Sequence, residues 1–167
     1  TGIVCPCCTS PEIHAHAKET INRDDNVLTW ANIFVNGNNA KFLDTVVPLF
    51  NTYNDIVMVC NELAQPSLLP FIDKVTDIYT IPNTAWLHND IIEKIKPRIN
   101  RSTTGSLYLF AAGPVANVLA MECNKINPAN TYIDIGSTLD GCLGLGKTRG
   151  YHKKVNKFKD RICTWIT

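Results

Sequence analysis

The sequence predicts an α/β protein with a mostly parallel, Rossmann-like sheet that carries helices on both faces. Short apolar runs of strand length alternate along the chain with amphipathic segments of helical spacing. This alternation is typical of parallel strands that are joined by crossover helices. The composition, with 45% hydrophobic and 19% charged residues, is that of an ordinary globular protein. Because 167 residues fit one domain, we expect residues 1–167 to form a single α/β domain.

Each predicted element rests on a local pattern. Ser10 and Pro11 suit the cap and the first turn of a helix. The β-branched residues within 56–60 are typical of a strand that is covered on both faces. Pro97 is expected to kink or shorten the helix in which it lies. The predicted elements are, in order, helix 12–21, strand 27–35, helix 40–51, strand 56–60, strand 75–81, helix 85–99, strand 107–112, helix 115–125, strand 131–136 and strand 161–166.

The turn at Gly113 and Pro114 is the first candidate binding site. A strand that turns through small residues into a helix leaves the first N–H groups of that helix unpaired. These donors, together with the helix dipole, bind phosphate. Proline loses no hydrogen bond at the first helical position, and Asn117 lies in the same predicted turn. A strand-to-helix turn that merely needs a glycine would have the same sequence, so both interpretations stay open.

Asp134 and Asp140 are the candidate acidic groups. Asp134 lies inside an apolar strand near its carboxyl end, where an acid without a partner is costly to bury. Acids in such places are commonly metal ligands, ribose acceptors or catalytic bases. Asp140 follows shortly after and would complete a carboxylate pair. In the alternative interpretation, Asp134 accepts backbone hydrogen bonds from the following loop and Asp140 is solvated.

The segment at 141–149 is a glycine-rich, basic loop. Residues 141–148 match the Walker A pattern letter for letter, but a P-loop needs a strand directly before its first glycine and a helix that begins at Lys147 and Thr148. Other residues follow the predicted strand first, and the charged sequence after the motif is a poor helix start. The loop and the residues after it instead suggest a positive patch beside the two acids, which suits a diphosphate with a divalent metal. The patch consists of Lys147, Arg149, His152, Lys153 and Lys154. A solvated basic tail is the alternative.

Charge, hydropathy and cysteine usage restrict the class of function. The net charge of +1 provides no global basic field, so we predict no nucleic-acid partner. No apolar run approaches the roughly 18 residues that span a bilayer, so we predict no membrane span. The seven cysteines are an odd number and do not suggest a secreted domain stapled by disulfides. We therefore predict a reducing, cytoplasmic location.

The cysteines near the amino terminus raise the question of zinc. Cys5, Cys7 and Cys8 are followed by His14 and His16, and thiolates and imidazoles are the ligands of zinc. However, Cys7 and Cys8 are adjacent, and no second cysteine pair stands at finger distance, so we expect thiols without metal. The three tryptophans, Trp30, Trp86 and Trp165, are expected to pack in the core or at its rim, with base-stacking platforms as the alternative.

The most distinctive pattern consists of three segments: Leu109-Phe-Ala-Ala-Gly-Pro-Val-Ala-Asn-Val-Leu-Ala120, Asn130-Thr-Tyr-Ile-Asp-Ile-Gly-Ser-Thr-Leu-Asp140 and Gly144-Leu-Gly-Lys-Thr-Arg-Gly-Tyr151. Together they resemble glycosyltransferases of the GT-D type and the related viral and uncharacterised glycosyltransferase-like domains. The shared pattern is a strand, a Gly-Pro turn, a helix containing Leu-Ala, and a strand that ends in Asp-Ile-Gly. Residues 30–36 and 56–61 also look similar, so the resemblance extends over most of the chain.

The resemblance implies a Rossmann-like fold and a metal-dependent transferase of glycan biosynthesis. The donor would be a nucleotide-diphosphate sugar, with a UDP-sugar expected, and the acceptor a glycan hydroxyl. The divalent metal would be Mn²⁺ or Mg²⁺. Asp134 and Asp140 are then the candidate catalytic residues and metal ligands. The candidate ligands of the donor diphosphate are Gly113, Pro114, Asn117, Gly136, Ser137, Lys147 and Arg149.

One departure from the family pattern leaves alternatives open. Family members often carry an Arg-Phe-Gly-Asp-Gly-Glu-like segment that this sequence lacks. We expect that segment upstream of Thr1 in a longer chain, or else dispensed with in this variant. A nucleotide- or glycan-binding module without catalysis is the main alternative function, and a P-loop phosphotransferase is the second.

Overall fold

The computed structural model describes residues 2–3, 5–6, 9–21, 29–31, 33–88, 90–102 and 105–153. The chain forms two compact units, one of Thr1–Thr45 with Arg149–Thr167 and the other of Val46–Thr148. The sequence analysis predicted one domain and found no boundary or linker that would indicate this division. The predicted strand at 161–166 lies outside the described residues.

The smaller unit contains a short parallel sheet and one long helix. Strand β1 (Gly2–Ile3) pairs with strand β2 (Thr29–Trp30) in parallel. Helix α1 (Pro11–Ile21) confirms the helix that was predicted over this segment. The backbone N–H of Ile13 donates to Ser10 Oγ at 3.3 Å, so Ser10 caps the helix as expected.

The strand predicted over 27–35 is mostly wrong. Within the described residues of that segment, only Thr29–Trp30 forms a strand, and turns follow it. Local contacts hold these turns. The side chain of Asn39 donates to the backbone carbonyl of Phe34 at 3.2 Å, and the rings of Phe34 and Phe42 lie 4.7 Å apart. These contacts between close neighbours replace the strand pairing that the apolar run suggested.

The helix predicted over 40–51 is not one regular α-helix. Helix α2 (Asn39–Lys41) continues as a π-helical turn (Phe42–Val46) and then as a 3₁₀-helix (Val47–Thr52). Pro48 lies in the first turn of the 3₁₀ segment. Because proline has no N–H and clashes with the preceding turn, regular α-helical bonding cannot pass through it without distortion.

The larger unit is built on a four-stranded parallel sheet. Its strands are β3 (Ile56–Asn61), β4 (Val75–Ile81), β5 (Leu107–Phe110) and β6 (Thr131–Asp134). Their order in the sheet is β4-β3-β5-β6, and every pair of neighbours is parallel. This sheet, with its helices, confirms the predicted α/β class. The finer Rossmann-like topology stays a prediction.

Two helices cover one face of this sheet. Helices α3 (Ile91–Arg101) and α4 (Val115–Ile126) pack against each other and against the strands. The predicted helix 85–99 is divided, since a separate 3₁₀ turn (Ala85–Leu87) precedes α3. Pro97 lies inside α3 and does not end it. Because proline has no N–H, the carbonyl four residues before it loses its helical donor. Pro97 is exposed, so water can hydrate that carbonyl. The core between sheet and helices consists of Val57, Val59, Ile81, Ala85, Ile91, Ile95, Ile99, Tyr108, Phe110, Ala112, Val115, Ala116, Leu119 and Cys123.

The opposite face of the central strands is buried as well. Side chains alternate along a strand, so Met58 points away from Val57 and Val59, which belong to the core under α3 and α4. Met58 is nevertheless fully buried. A right-handed connection from β3 to β4 would lie on this second face, and the burial of Leu69 and Phe71 within that connection agrees. Both faces of the central strands are thus buried, while α3 and α4 share one of them; the prediction of helices on both faces stays a prediction.

A polar network joins the amino ends of the strands to α3. The guanidinium of Arg98 donates to Asp77 Oδ2 at 2.6 Å and to Asp55 Oδ1. Asp55 also accepts hydrogen bonds from the hydroxyls of Thr76 and Ser106, each at 2.5 Å. The side chain of Arg98 is only 14% exposed. The network connects segments that are distant in sequence, and nothing in the sequence had singled it out.

Two observations concern thiols and helix length. Cys60, Cys123 and Cys142 are free thiols. Burial raises the pKa of Cys60 to about 11, and burial is also the largest cause that raises the pKa of Cys123 to about 12. Cys7 and Cys8, which bear on the zinc question, lie outside the described residues. In the part of the chain that the structure describes, no helix combines the length and the apolarity that a membrane crossing requires.

Candidate functional site

The carboxyl ends of the four strands form one rim of the larger unit. In open parallel sheets, ligands bind beyond this rim, at the point where the strand order reverses. The chain passes from β3 to β4 on one side of the sheet and from β5 to β6 on the other, so the reversal lies between β3 and β5. The loops at 62–65 and 111–114 therefore flank the place where a ligand is expected.

Asp134 is the last residue of β6 and lies on this rim. It is in register with Phe110 of β5, and its side chain is on the face of Tyr132, which packs against the α3 and α4 core. Asp134 Oδ1 accepts the backbone N–H of Gly136 at 2.9 Å. Burial raises the pKa of Asp134 above its ordinary value, and the bond from Gly136 acts in the opposite direction. The carboxylate is thus partly desolvated and held by one backbone bond from the following loop.

Helix α4 begins at the same rim. Gly113 has a φ of +57°, in the left-handed region that favours glycine, and both Gly113 and Pro114 are exposed. Pro114 is the N-cap, and the first helical residue is Val115. The sequence had suggested that the proline itself would occupy the first helical position. The N–H of Ala116 donates to the Gly113 carbonyl at 3.0 Å. Helix geometry leaves the N–H groups of Val115 and Asn117 without an intrahelical acceptor, which makes them available to an anion.

Asp140 occupies a different environment. Its exposed fraction is only 8%, so it is not the solvated acid of the alternative interpretation. Its carboxylate accepts the hydroxyl of Thr148, and its backbone carbonyl accepts the N–H of Leu145 at 2.9 Å. These bonds tie the loop after β6 to itself. The predicted pairing of Asp140 with Asp134 at a metal stays a prediction.

The glycine-rich loop does not have the geometry of a P-loop. Strand β6 ends well before Gly141, and residues 145–148 form no helix. Gly144, with a φ of +71°, instead lies against the loop after β3. The N–H of Gln65 donates to the Leu143 carbonyl at 2.8 Å, and a Cβ on Gly144 would lie 3.1 Å from Gln65 Cδ. The loops that follow β3 and β6 are therefore joined to each other.

No family model, no curated protein and no solved structure matches the chain.

The other predicted phosphate ligands are distributed unevenly. Gly136 and Ser137 directly follow Asp134 on the rim, but the N–H of Gly136 is already bonded to Asp134 and orients that carboxylate. Lys147 belongs to the larger unit and is exposed. Arg149 belongs to the smaller unit, and its role as a phosphate ligand stays a prediction.

A pair of asparagines on the rim was missed by the sequence analysis. Asn61, the last residue of β3, donates through Nδ2 to Asn83 Oδ1 at 2.6 Å. Its own Oδ1 accepts the N–H of Leu63 at 2.8 Å. The pair joins the loops after β3 and β4. The sequence did contain a signal for this pair, since each asparagine follows an apolar run that was predicted to be a strand and therefore lies at the carboxyl end of that strand.

The acidic residues limit how a divalent metal would be held. Among the described residues, no group of three or more His, Cys, Asp and Glu side chains could hold a metal. Mg²⁺ is commonly bound through one or two carboxylates, while substrate phosphates and water supply the other ligands. Asp134 fits such a role, because its bond from Gly136 occupies Oδ1 and leaves Oδ2. The rim therefore suits a metal that arrives with a diphosphate.

Proposed function

We propose that the larger unit is a glycosyltransferase domain that transfers a sugar from a nucleoside diphosphate sugar to a glycan hydroxyl. The observation that carries the proposal is the position of Asp134, a partly buried acid, on the same rim as the exposed turn that opens α4. A helix terminus suited to phosphate and a strengthened base are thus close to the reversal of strand order. The resemblance of residues 109–120 and 130–140 to GT-D glycosyltransferases supports the same function.

The donor diphosphate would lie at the start of α4. The N–H groups of Val115 and Asn117 supply donors there, and the helix dipole favours negative charge. The net charge of +1 means that the attraction for a diphosphate has to be local. Lys147, which is exposed, would add positive charge to stabilise the nucleoside diphosphate as it leaves. A divalent metal bound with the diphosphate would neutralise further charge.

Asp134 would accept the proton of the acceptor hydroxyl. A carboxylate with an ordinary pKa is a weak base at neutral pH, and the burial that raises the pKa of Asp134 strengthens it. In an inverting transfer, the hydroxyl oxygen forms a bond to the anomeric carbon while the bond from that carbon to the diphosphate oxygen breaks. The hydroxyl proton moves to Asp134, and the electron pair leaves with the diphosphate.

A binding module without catalysis is the second candidate function. It is favoured by the lack, in this sequence, of the Arg-Phe-Gly-Asp-Gly-Glu-like segment that family members often carry. Such a module would use the same rim for a nucleotide or a glycan. A P-loop phosphotransferase has no comparable support, because residues 145–148 form no helix.

Donor binding and donor turnover, measured on the same protein, test the proposal. Thermal unfolding is followed with UDP-, GDP- and dTDP-sugars, with and without Mn²⁺ or Mg²⁺, and with ATP as the comparator. A ligand at 100 times its Kd stabilises the folded state by about 2.7 kcal/mol, which shifts the midpoint measurably. Release of the nucleoside diphosphate from the donor then separates an enzyme from a binding module.

We expect a nucleotide sugar to raise the midpoint more than ATP does, and the wild-type protein to release nucleoside diphosphate. Asp134→Asn protein should bind the donor and release little product. Binding without release by the wild type would favour the module. ATP hydrolysis that disappears in Lys147→Ala would overturn the proposal in favour of a phosphotransferase.

A further inference from the structure

The loop between β4 and α3 exposes two large apolar side chains on the same rim. Trp86 is 58% exposed and Leu87 is 71% exposed, so Trp86 lies at the surface and not in the core. Ala85, directly before them, is buried in the core cluster that also contains Ala112 and Val115. The Trp86 loop is therefore anchored to the same core as the start of α4.

The packing of the helices relates this loop to the proposed phosphate position. Helices α3 and α4 are packed neighbours, and each begins where a parallel strand has ended, at the carboxyl rim. Trp86 precedes α3, whereas the proposed phosphate position is at the start of α4. Ala85, beside Trp86, and Val115, at the start of α4, belong to the same core cluster, so both positions lie on the rim over that cluster.

Asn83 in the same loop offers hydrogen-bond donors. It is exposed, and its Oδ1 accepts Asn61 Nδ2 at 2.6 Å. That bond involves only the oxygen and leaves the two N–H groups of Asn83 Nδ2 as donors. Every nucleobase carries carbonyl oxygens or ring nitrogens that accept a hydrogen bond from an amide nitrogen.

We infer that Trp86 and Asn83 form the base subsite of the nucleotide. The indole of Trp86 stacks on the base, and Nδ2 of Asn83 donates to an acceptor atom of the base. The inference rests on the proposed function, because that function places the diphosphate at the start of α4. It adds the side chains that recognise the base.

Calorimetric titration of the full chain with UDP, ADP and inorganic pyrophosphate tests the stacking. Trp86→Leu should weaken UDP binding roughly 10- to 100-fold, which is the range for the loss of one base–aromatic stack. It should leave pyrophosphate binding unchanged, because pyrophosphate has no base. Trp86→Phe should keep most of the affinity for UDP. Leu87→Ala, at the exposed neighbouring position, is the matched control and should bind UDP as the wild type does.

A second variant tests the hydrogen bond from Asn83. Asn83→Asp keeps an oxygen for Asn61 but loses both N–H donors. It should therefore weaken UDP binding more than pyrophosphate binding. The added negative charge affects both ligands, so the ratio of the two affinities isolates the base, and an unchanged ratio would overturn the role of Asn83.

The outcomes separate the inference from the function on which it rests. Unchanged UDP affinity in Trp86→Leu overturns the inference and leaves the proposed function standing. An equal loss for UDP and pyrophosphate also overturns it, because the change then reaches the phosphate position. A wild-type protein that binds neither UDP nor pyrophosphate removes the proposed function, and the inference with it.

Discussion

Asp55 and Asp134 lie at opposite ends of the same sheet, and their surroundings shift their pKa values in opposite directions. Burial would raise the pKa of Asp55, but hydrogen bonds from Ser106, Thr76 and Arg98 outweigh burial and lower it. Asp134 has one backbone bond from Gly136, and there the effect of burial wins. The ionised form of Asp55 therefore stabilises the fold, whereas the ionised form of Asp134 destabilises it.

The stability of the protein should reflect both shifts when the pH is changed. Asp55 contributes stability above its unfolded pKa of about 4, and this contribution is lost as the pH falls through the lower folded value. Asp55→Asn should thus lower the free energy of unfolding by about 1–3 kcal/mol at pH 7 and by less in acid. Asp134 has the opposite sign, since its contribution is present in acid and lost as the pH rises through the raised folded value. Urea unfolding at several pH values measures both, and an Asp55→Asn protein as stable as the wild type at pH 7 would contradict this account.

Asp134→Asn should separate catalysis from stability. Because the amide removes a partly buried charge, we expect the unfolding midpoint at pH 7 to stay near the wild-type value or to rise. Turnover should fall by about 10² to 10⁴, the usual contribution of a general base. Asp140→Asn, in the loop bonded to Thr148, is the matched control and should lower turnover less. An Asp134→Asn protein that melts several degrees lower but keeps wild-type turnover would show that the acid is structural.

At the scale of elements, substitutions in the glycine loop test whether Gly144 packs against the loop after β3. Gly144 has positive φ, and an added Cβ would meet Gln65 Cδ at 3.1 Å and Leu68 Cδ1 at 3.3 Å. Gly144→Ala should therefore destabilise the protein by about 1–3 kcal/mol. Gly146 has a φ of +77° with open space around it, so Gly146→Ala should cost only about 1 kcal/mol of backbone strain. Gly141→Ala, with open space and no positive φ, is the neutral control. Equal effects at all three positions in denaturant unfolding would argue against docking by Gly144.

The elements with the clearest periodicity were predicted within a few residues. Strand β4 was predicted with its observed bounds, and α4 differs from its prediction by one residue at its end. The predictions failed where a competing local interaction decided the backbone. The amide of Asn39 bonds to the Phe34 carbonyl and folds the predicted strand into turns. Pro48 turns the predicted helix into a 3₁₀ segment.

At the scale of the molecule, the larger unit should fold without the rest of the chain. A fragment of residues 46–148 contains β3 to β6, both α3 and α4, and every residue of the core cluster. Domains with their own core can fold alone. We expect the fragment to unfold cooperatively in urea and to bind the nucleoside diphosphate sugar about as tightly as the full chain, because Asp134 and the start of α4 lie within it.

Two results for this fragment would contradict the expectation in different ways. A fragment without a cooperative transition would show that the smaller unit is needed for folding. A folded fragment that no longer binds the donor would show that the smaller unit, which contains Arg149, contributes to binding. Circular dichroism separates the two cases before any binding is measured.

The sequence by itself determined the parallel α/β class, the Gly113 turn and the acid at the end of β6, because each depends on local periodicity or on residues next to each other. Tertiary structure alone decided the strand order, the bond between Asn61 and Asn83, and the bond between Arg98 and Asp55, which are 43 residues apart. Such contacts have no local signature, since they depend on where separate segments meet. The direction of a pKa shift follows the same rule, because burial and hydrogen-bond partners exist only after those segments have packed.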